Sequence, residues 1–325
     1  MPLTVSCAFA TSMATPRYVE LAEHLGYERA WLYDSPALYP DVWATLVRCA
    51  ERTNHIGLGP GVLVPSLRHP MVNAAAIAML AELAGPTRVA VAVGSGFTGR
   101  YALGQKPMRW SAVADYVRCL RSLLAGETVT WEGGKMRMMH PAGFAEPRPL
   151  AVPFLLGAAG PRGLAAAREV GDGVFLSAPR PVPDMPWQAV MMTGTVLERG
   201  EAPDSERVVA AAGHGAAVAY HFLQQTGRSA DRLPGGEAWR RAYDDVPEDE
   251  RHLALHDLHL IAVNERDRPF ITGDVVAALG AAFTPEDLRS RLQKLEEAGA
   301  TEIAYQPAGP DVPRELEAFI SAARA

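Results

Sequence analysis

Cysteine is scarce in this chain: 325 residues hold three, Cys7, Cys49 and Cys119. They lie far apart and none forms a Cys-x-x-Cys pair. That excludes a disulfide frame and a zinc site, and leaves three small hydrophobes of a reducing compartment. Clustered positive charge is missing as well. The formal net charge is -6, and the arginines and lysines are scattered with no basic stripe, so no nucleic-acid partner is expected. No stretch approaches ~18 uninterrupted apolar residues, so no transmembrane helix is expected. Met1-Pro2-Leu3-Thr4-Val5 lacks the basic region, apolar run and cleavage site of a signal peptide. The expectation is a cytoplasmic protein that works on a small molecule, away from membranes.

Apolar residues, by contrast, are plentiful. They make up 48% of the chain, with 21% charged, enough for a large buried core. The length exceeds a two-layer domain and suits a single α/β barrel of about 250 residues with insertions. Short apolar runs at 3–10, 29–33, 56–64, 88–93, 152–156, 173–176, 208–218 and 302–305 read as strands. The stretches between them read as helices, at 16–25, 41–53, 71–84, 110–125, 162–170, 187–199, 288–298 and 313–323. Such alternation argues for a parallel sheet with crossover helices. An open doubly wound sheet is the alternative. Eight strands in one continuous alternation favour closure into a (β/α)8 TIM barrel, residues 1–325, as a single domain. The stretch 220–275 is polar and irregular and reads as a variable insertion.

In such a barrel the chemistry sits at the C-terminal ends of the strands. Here those ends are rich in Gly, Ala and Ser: 8–11, Asp34-Ser35, 61–66, 94–99, 157–162, Ser177, Gly213-His214 and Gln306-Pro307. They hold no pair of carboxylates, no metal-ligand cluster and no lysine placed for a Schiff base. Such a mouth suits a flat cofactor gripped by backbone groups, which carries the hard chemistry itself. The third strand end is the focus. Gly57, Gly59 and Gly61 leave no side chain over one patch of backbone, as a flat ligand lying on a strand end requires.

The order and spacing of several segments carry a more specific likeness. Leu58-Gly59-Pro60-Gly61-Val62 is followed by Pro65, Arg68 and Pro70, then an Ala-rich helix to Glu82-Leu83, then Gly94-Ser95-Gly96. Before it stand Ala22-Glu23-His24-Leu25-Gly26-Tyr27, Trp31 and Asp34. After it come 120–128, Ala158-Ala159-Gly160-Pro161-Arg162 and Gly171-Asp172-Gly173-Val174. Over residues 3–178, and again from Thr284 onward, the chain resembles the bacterial luciferase-like superfamily of flavin and deazaflavin oxidoreductases. Within it the likeness is closest to the methylenetetrahydromethanopterin reductase branch, which uses the 8-hydroxy-5-deazaflavin coenzyme F420.

The resemblance implies that coenzyme F420, or alternatively FMN, lies over a non-prolyl cis peptide at Gly61-Val62. It implies that Asp34 stands near the cofactor and that Ser95 and Gly96 contact its tail or ring. Ala159, Gly160, Pro161 and Arg162 would hold its phosphate at a helix N-terminus, where free N–H groups favour an anion. A homodimer through the early helices is also implied. Two positions depart from the sugar-phosphate dehydrogenase branch, whose histidine and acid are replaced by Ser35 and Phe97. That argues against alcohol oxidation by that acid–base pair. The function expected is hydride transfer to or from a small organic substrate. A reduced-FMN monooxygenase is the runner-up, and a non-catalytic flavin-binding protein the third reading.

Gly94-Ser95-Gly96-Phe97-Thr98-Gly99 matches the dinucleotide pattern GxGxxG, with Asp115 further on. It follows the fourth strand rather than the first, and the next helix reads as starting near Arg109, so the pattern is set aside. His252, His256 and His259 stand at i, i+4 and i+7. On one helix they would share a face and could bind a metal; hydrogen-bonded, partly buried histidines are the plainer reading. A near-neutral pKa suits substrate contact or proton transfer, so His256 and His252 stand as the catalytic candidates. Tyr39, Trp43 and Arg68 are the substrate candidates. Core packing is the plain alternative for the two aromatics, and pairing to an anionic group or a helix end for Arg68. Asp41 reads as the N-cap of the second helix and His69-Pro70 as the start of the third.

Overall fold

The computed structural model describes residues 3–177, 180–182 and 184–325, so Met1 and Pro2, on which the signal-peptide reading partly rests, lie outside it. β1 (Thr4–Phe9) alternates: Cys7 and Phe9 face the main outer core, and Ala8 faces the barrel lumen. β2 (Arg29–Leu32) does the same, with Ala30 and Leu32 outward and Trp31 inward. A two-residue period with both faces buried is how a barrel strand reads. The remaining strands are β3 (Gly57–Pro60), β4 (Val91–Gly94), β5 (Phe154–Gly157), β6 (Gly173–Leu176), β7 (Gln188–Thr193) and β8 (Glu302–Gln306). All neighbours pair in parallel, in the order β3-β2-β1-β8-β7-β6-β5-β4. Parallel bridges Leu58–Val89 and Leu63–Val93 join the β3 and β4 segments and close the ring. The fold is the closed barrel, not the open sheet.

The longer helices are α1 (Thr15–His24), α2 (Val42–Ala50), α3 (Pro70–Ala84), α4 (Trp110–Leu124), α5 (Pro161–Val170), α6 (Glu206–Gln225), α7 (Pro285–Glu297) and α8 (Val312–Arg324). Local chemistry starts several of them. Asp41 caps α2 by accepting from the Ala44 N–H at 2.9 Å, and His69 caps α3 ahead of Pro70, both as expected. Thr284 and Asp287 form a capping box on α7. In the lumen, Ala8, Ala90, Ala92, Ala189 and Ala304 leave room for Trp31, Leu155 and Phe175, small against large as barrel layers require. The floor is polar. Glu302 accepts from the indole N–H of Trp31 at 2.7 Å and of Trp187 at 2.6 Å. The Arg29 guanidinium stands 5.3 Å from the centroid of each ring.

Two expectations fail in the C-terminal half. Residues 187–199, read as helix, carry β7, and residues 208–218, read as the seventh strand, lie inside α6. Val208-Val209-Ala210-Ala211-Ala212 is alanine-rich, and alanine is the strongest helix former. Periodicity cannot separate a buried strand from a buried helix, so length has to decide. Gly213 and Gly215 do not break α6. A side chain at either would come within 2.7 Å of Val263 or Thr193, so they let the helix lie close on its neighbours. After β7, Thr195–Val196 pairs in parallel with Ala282–Phe283. Between those short strands a second apolar core forms around Val208, Ala212, Tyr220, Trp239, Ile271 and Val276. The irregular stretch read at 220–275 is thus part of a larger helical segment that begins near Leu197. No helix among the described residues is long and apolar enough to cross a membrane.

Candidate active site

The chain leaves β3 by switching partners. The Gly61 N–H donates to the Leu32 carbonyl of β2 at 2.8 Å, whereas the Leu63 N–H donates to Ala92 of β4 at 2.7 Å. Between them the Gly61-Val62 peptide is cis, as the family resemblance implies. Val62 packs against the lumen cluster. Side chains at Gly94 or Gly157 would come within 2.6 or 2.8 Å of its methyl groups, so these glycines on neighbouring strands form its seat. Gly59 and Gly61 are needed for a different reason. A Cβ there would lie 1.8 Å from the Ala90 carbonyl oxygen or 2.9 Å from Trp31. The bare backbone expected to face a flat ligand is therefore covered by the protein itself at these two positions. Val62 is the side chain that the bulge presents at the mouth.

Asp34, beyond the end of β2, is buried. It accepts from the Val64 N–H at 3.1 Å and from Arg68 Nη1 at 2.8 Å to each oxygen, and Arg68 reaches on to Asp41 at 2.7 Å. Burial pushes the Asp34 carboxyl up, with Arg68 working against it. Asp34 and Arg68, expected to serve cofactor and substrate separately, form one bracket that holds the loop after strand three. Trp43 gives its indole N–H to Asn73 at 2.8 Å within the outer core, whereas Tyr39 lies in the lumen cluster. Ser95 is half-buried, and Gly96 takes a left-handed φ of 79°, which glycine tolerates. A single-turn helix, Phe97–Tyr101, starts directly after Gly96, earlier than the helix expected near Arg109. Phe97 packs on Tyr101 and on Phe222 of α6, with centroids 4.9 and 5.6 Å apart. The place of the dehydrogenase acid is here an apolar anchor for the helical segment.

Ala159, Gly160, Pro161 and Arg162 form an exposed turn. Gly160 caps α5, and nothing stands within 4 Å of where its side chain would be. The turn borders an open cleft of about 1100 Å³ along the facing sides of α4 and α5, lined also by Arg109, Trp110, Asp115, Arg118 and Glu169. Arg118 is engaged by Asp115 at 2.7 Å and by Glu169. Arg109 and Arg162 add positive charge to the rim.

Residues 256–261 cover the mouth from the opposite side. Tyr39 OH donates to the His259 carbonyl, and Gln306 Nε2 donates to the Leu260 carbonyl at 2.7 Å. Leu260 joins Tyr33, Tyr39 and Met191 in the lumen cluster. Leu258 and Leu260 hold φ of 53° and 59°, values uncommon outside glycine. The three histidines do not share a helix face, because the helix ends at Leu255. His256 is engaged on both ring nitrogens, Nδ1 with the His252 carbonyl at 2.7 Å and Nε2 with Gln225 at 2.9 Å. His252 stands apart, against Gly104.

His259 faces Thr98, Nε2 to Oγ1 at 3.5 Å, and its ring lies 6.0 Å from that of His221. His221 Nε2 meets Asp267 at 2.8 Å, and Asp267 also accepts from Trp239 at 2.6 Å and Tyr243 at 2.8 Å. Burial works against that carboxylate, but its donors, His221 foremost, overcome it and hold it below the usual range. Burial pushes His214 and His256 down to about 4, against the nearby Ala211 and His252 carbonyls. Burial and the neighbouring histidines push His259 well below its ordinary value. No group of three or more His, Cys, Asp or Glu among the described residues is placed to hold a metal ion. His221, Asp267 and Tyr33 escaped the sequence reading. His221 and Asp267 are 46 residues apart, and no spacing signals such a pair.

A barrel whose third strand ends in a cis bulge, with an exposed helix start after the fifth, is matched over residues 10–302 by the luciferase-like monooxygenase family. The chain belongs to that family. Among its luciferase-like relatives, the 5,10-methylenetetrahydromethanopterin reductase of Methanolobus tindarius is 27% identical over 322 residues, covering 92% of each chain. The F420-dependent glucose-6-phosphate dehydrogenase of Beutenbergia cavernae is 33% identical over 178 residues, covering 50% of this chain and 51% of its own. The coenzyme F420 dependent tetrahydromethanopterin reductase of Methanopyrus kandleri superposes with a TM-score of 0.69 at 19% identity, covering 100% of this chain and 99% of its own. That last likeness shows the luciferase-like fold. The family membership inferred from the strand-three and strand-five motifs stands.

Proposed function

We propose that this luciferase-like protein is an oxidoreductase that binds coenzyme F420 and moves a hydride to or from a small organic substrate. The observation that carries this reading is the turn of Gly160, Pro161 and Arg162. It opens the N-terminus of α5 into a cleft of about 1100 Å³ rimmed by Arg109 and Arg162. Free N–H groups and guanidinium groups suit an anionic cofactor tail. Ala159, Gly160, Pro161 and Arg162 would hold the phosphate, and Val62, Ser95 and Gly96 the ring, with the Asp34–Arg68 bracket keeping the strand-three loop in place. When bound, the deazaflavin supplies a two-electron hydride donor or acceptor. The reductase and dehydrogenase names of the relatives support the same reading. His256, with both ring nitrogens engaged, positions the segment that covers the mouth.

Titration of purified protein with coenzyme F420 and with FMN, read by cofactor or tryptophan fluorescence, tests this. Micromolar binding of coenzyme F420, weakened about tenfold by Arg162→Ala, is expected. Tighter binding of FMN would move the reading to a reduced-flavin monooxygenase, and binding of neither would sink both. A non-catalytic flavin-binding protein has one observation in its favour, the seat of Leu260 in the lumen. Cofactor binding without turnover over a panel of carbonyl and alcohol substrates would support it.

We also propose a homodimer. Val72, Met79 and Leu83 lie along one face of α3 and are 54%, 50% and 43% exposed, an apolar stripe suited to a second copy. Light scattering should give a dimer for the native chain and a monomer for Met79→Glu; a native monomer overturns the assignment. The three cysteines are free and buried, which fits a reducing cytoplasm.

A further inference from the structure

The cover of the barrel mouth has a chemical character of its own. Among the described residues, eight buried side-chain polar atoms have no hydrogen-bond partner. Six of them gather here: Tyr33 OH, both ring nitrogens of His214, His221 Nδ1, His259 Nδ1 and Gln306 Oε1. They are neighbours. The rings of Tyr33 and Tyr39 are 6.4 Å apart, and Tyr39 bonds the His259 carbonyl. Gln306 bonds the next carbonyl, that of Leu260. His221 lies 6.0 Å from His259, and His214 stands two turns before His221 on the same face of α6. Buried polar groups are nearly always paired, because each gave up water on folding. One orphan is incidental. Six where the lumen meets the helical segment mark a place for a molecule that brings the missing donors and acceptors.

We propose that this histidine-lined junction is the substrate pocket, and that it selects an uncharged molecule bearing a carbonyl, hydroxyl or ring nitrogen over phosphorylated or carboxylate compounds. The inference rests on the oxidoreductase reading and narrows its substrate class. Imidazole and phenol groups can donate or accept, and Gln306 Oε1 accepts, so a neutral polar group finds complementary partners. Among the described residues, no arginine or lysine side chain hydrogen-bonds any of these groups. Burial keeps His214, His256 and His259 neutral at pH 7, and the Asp267 carboxylate is taken by His221, Trp239 and Tyr243. An anion moved here would lose its hydration, and His221, the group of the junction that could face it as a cation, already has its counter-charge in Asp267 at 2.8 Å. Arg68 is held between Asp34 and Asp41, Arg266 by Asp245, and Arg251 gives Nη2 to the Val246 carbonyl, while Arg109 and Arg162 lie at the cleft. Leu260 and Met191 supply an apolar wall, which suits a ligand with an apolar part beside its polar end.

The test uses the full chain, with and without coenzyme F420, and matched probes followed by saturation-transfer NMR: benzamide against benzoate, and cyclohexanol against cyclohexyl phosphate. At least one neutral probe should bind, about tenfold or more tighter than its anionic partner. His259→Phe and Tyr33→Phe should each weaken that probe about tenfold while leaving affinity for coenzyme F420 within about twofold. Circular dichroism checks each fold, and the two variants are independent, so one that misfolds leaves the other to decide. Binding of neither neutral probe, anions bound as tightly, or an unchanged probe affinity in a folded variant overturns the pocket. Failure of the native chain to bind either coenzyme F420 or FMN overturns the oxidoreductase reading instead, and the probe preference of the cofactor-free chain still decides the pocket.

Discussion

The two ends of the barrel lumen treat their buried polar groups differently, with the unpartnered Ser6 hydroxyl in a layer between them. At the floor, Glu302 is 3% exposed and takes the N–H groups of both Trp31 and Trp187, with Arg29 over the two rings. At the mouth, Tyr33 OH, Gln306 Oε1 and His259 Nδ1 have no partner. A carboxylate costs more to bury than a hydroxyl or an imidazole, so the costly group is the one the fold supplies with partners. The difference separates an end completed by folding from an end completed by a ligand. It also separates two roles for aromatic residues in one cluster. Trp31 braces the floor, while Tyr33 and Tyr39 face the covering segment.

Breaking the lumen between the two ends carries the largest expected effect. Gly59→Ala places a Cβ 1.8 Å from the Ala90 carbonyl oxygen, and backbone cannot yield cheaply. A loss of roughly 4 kcal/mol or more in urea denaturation is expected. A native midpoint would mean that β3 and β4 do not close as described.

Glu302→Leu comes next. It leaves two buried indole N–H groups unpartnered and Arg29 without its counter-charge, a loss of about 2–5 kcal/mol. A loss below about 1 kcal/mol would erase the contrast between the ends.

Acidification probes the mouth. His214 and His256 titrate near 6.5 when unfolded and are held at about 4 when folded. Between these values the unfolded chain binds protons that the folded chain does not. Stability present above the unfolded value is therefore lost as pH falls toward the folded one, by about 2 kcal/mol per histidine at pH 5. Denaturation midpoints that stay level from pH 7 to pH 5 would show that these rings are not buried and neutral.

The smallest effect sharpens the comparison most directly. Tyr33→Phe should leave stability unchanged or raise it by up to about 1 kcal/mol, because the hydroxyl has no partner to lose and gave up water on folding. Its effect on stability set beside that of Glu302→Leu measures the difference between the two ends.

The barrel was largely legible in the sequence. Asp41 and His69-Pro70 start their helices as read, the cis peptide falls at Gly61-Val62, and strands one to six and eight lie within a few residues of the runs that predicted them. The seventh strand was not legible. Gln188–Thr193 and the alanine-rich start of α6 are both apolar, and only packing assigns one to the ring and the other to the helical segment. The histidine reading failed for the same physical reason. A spacing of i, i+4 and i+7 means a shared face only on an unbroken helix, and this helix ends at Leu255. The glycines were correctly singled out and differently explained. Gly59 and Gly61 make way for Ala90 and Trp31, while Gly94 and Gly157 make way for Val62.

By itself the sequence determined the alternation of strand and helix, the caps, the bulge and the family. The alternation and the caps are written in local periods and in residues such as Gly and Pro that act within a few positions of themselves, while the bulge was implied by the family resemblance. Only the tertiary structure decided that Arg68 is held by Asp34, that Phe97 anchors α6, and that His259 rather than His252 stands beside Thr98. Those contacts join residues from 34 to 161 positions apart. They exist because ring closure and the packing of the helical segment bring them together, which no local pattern encodes.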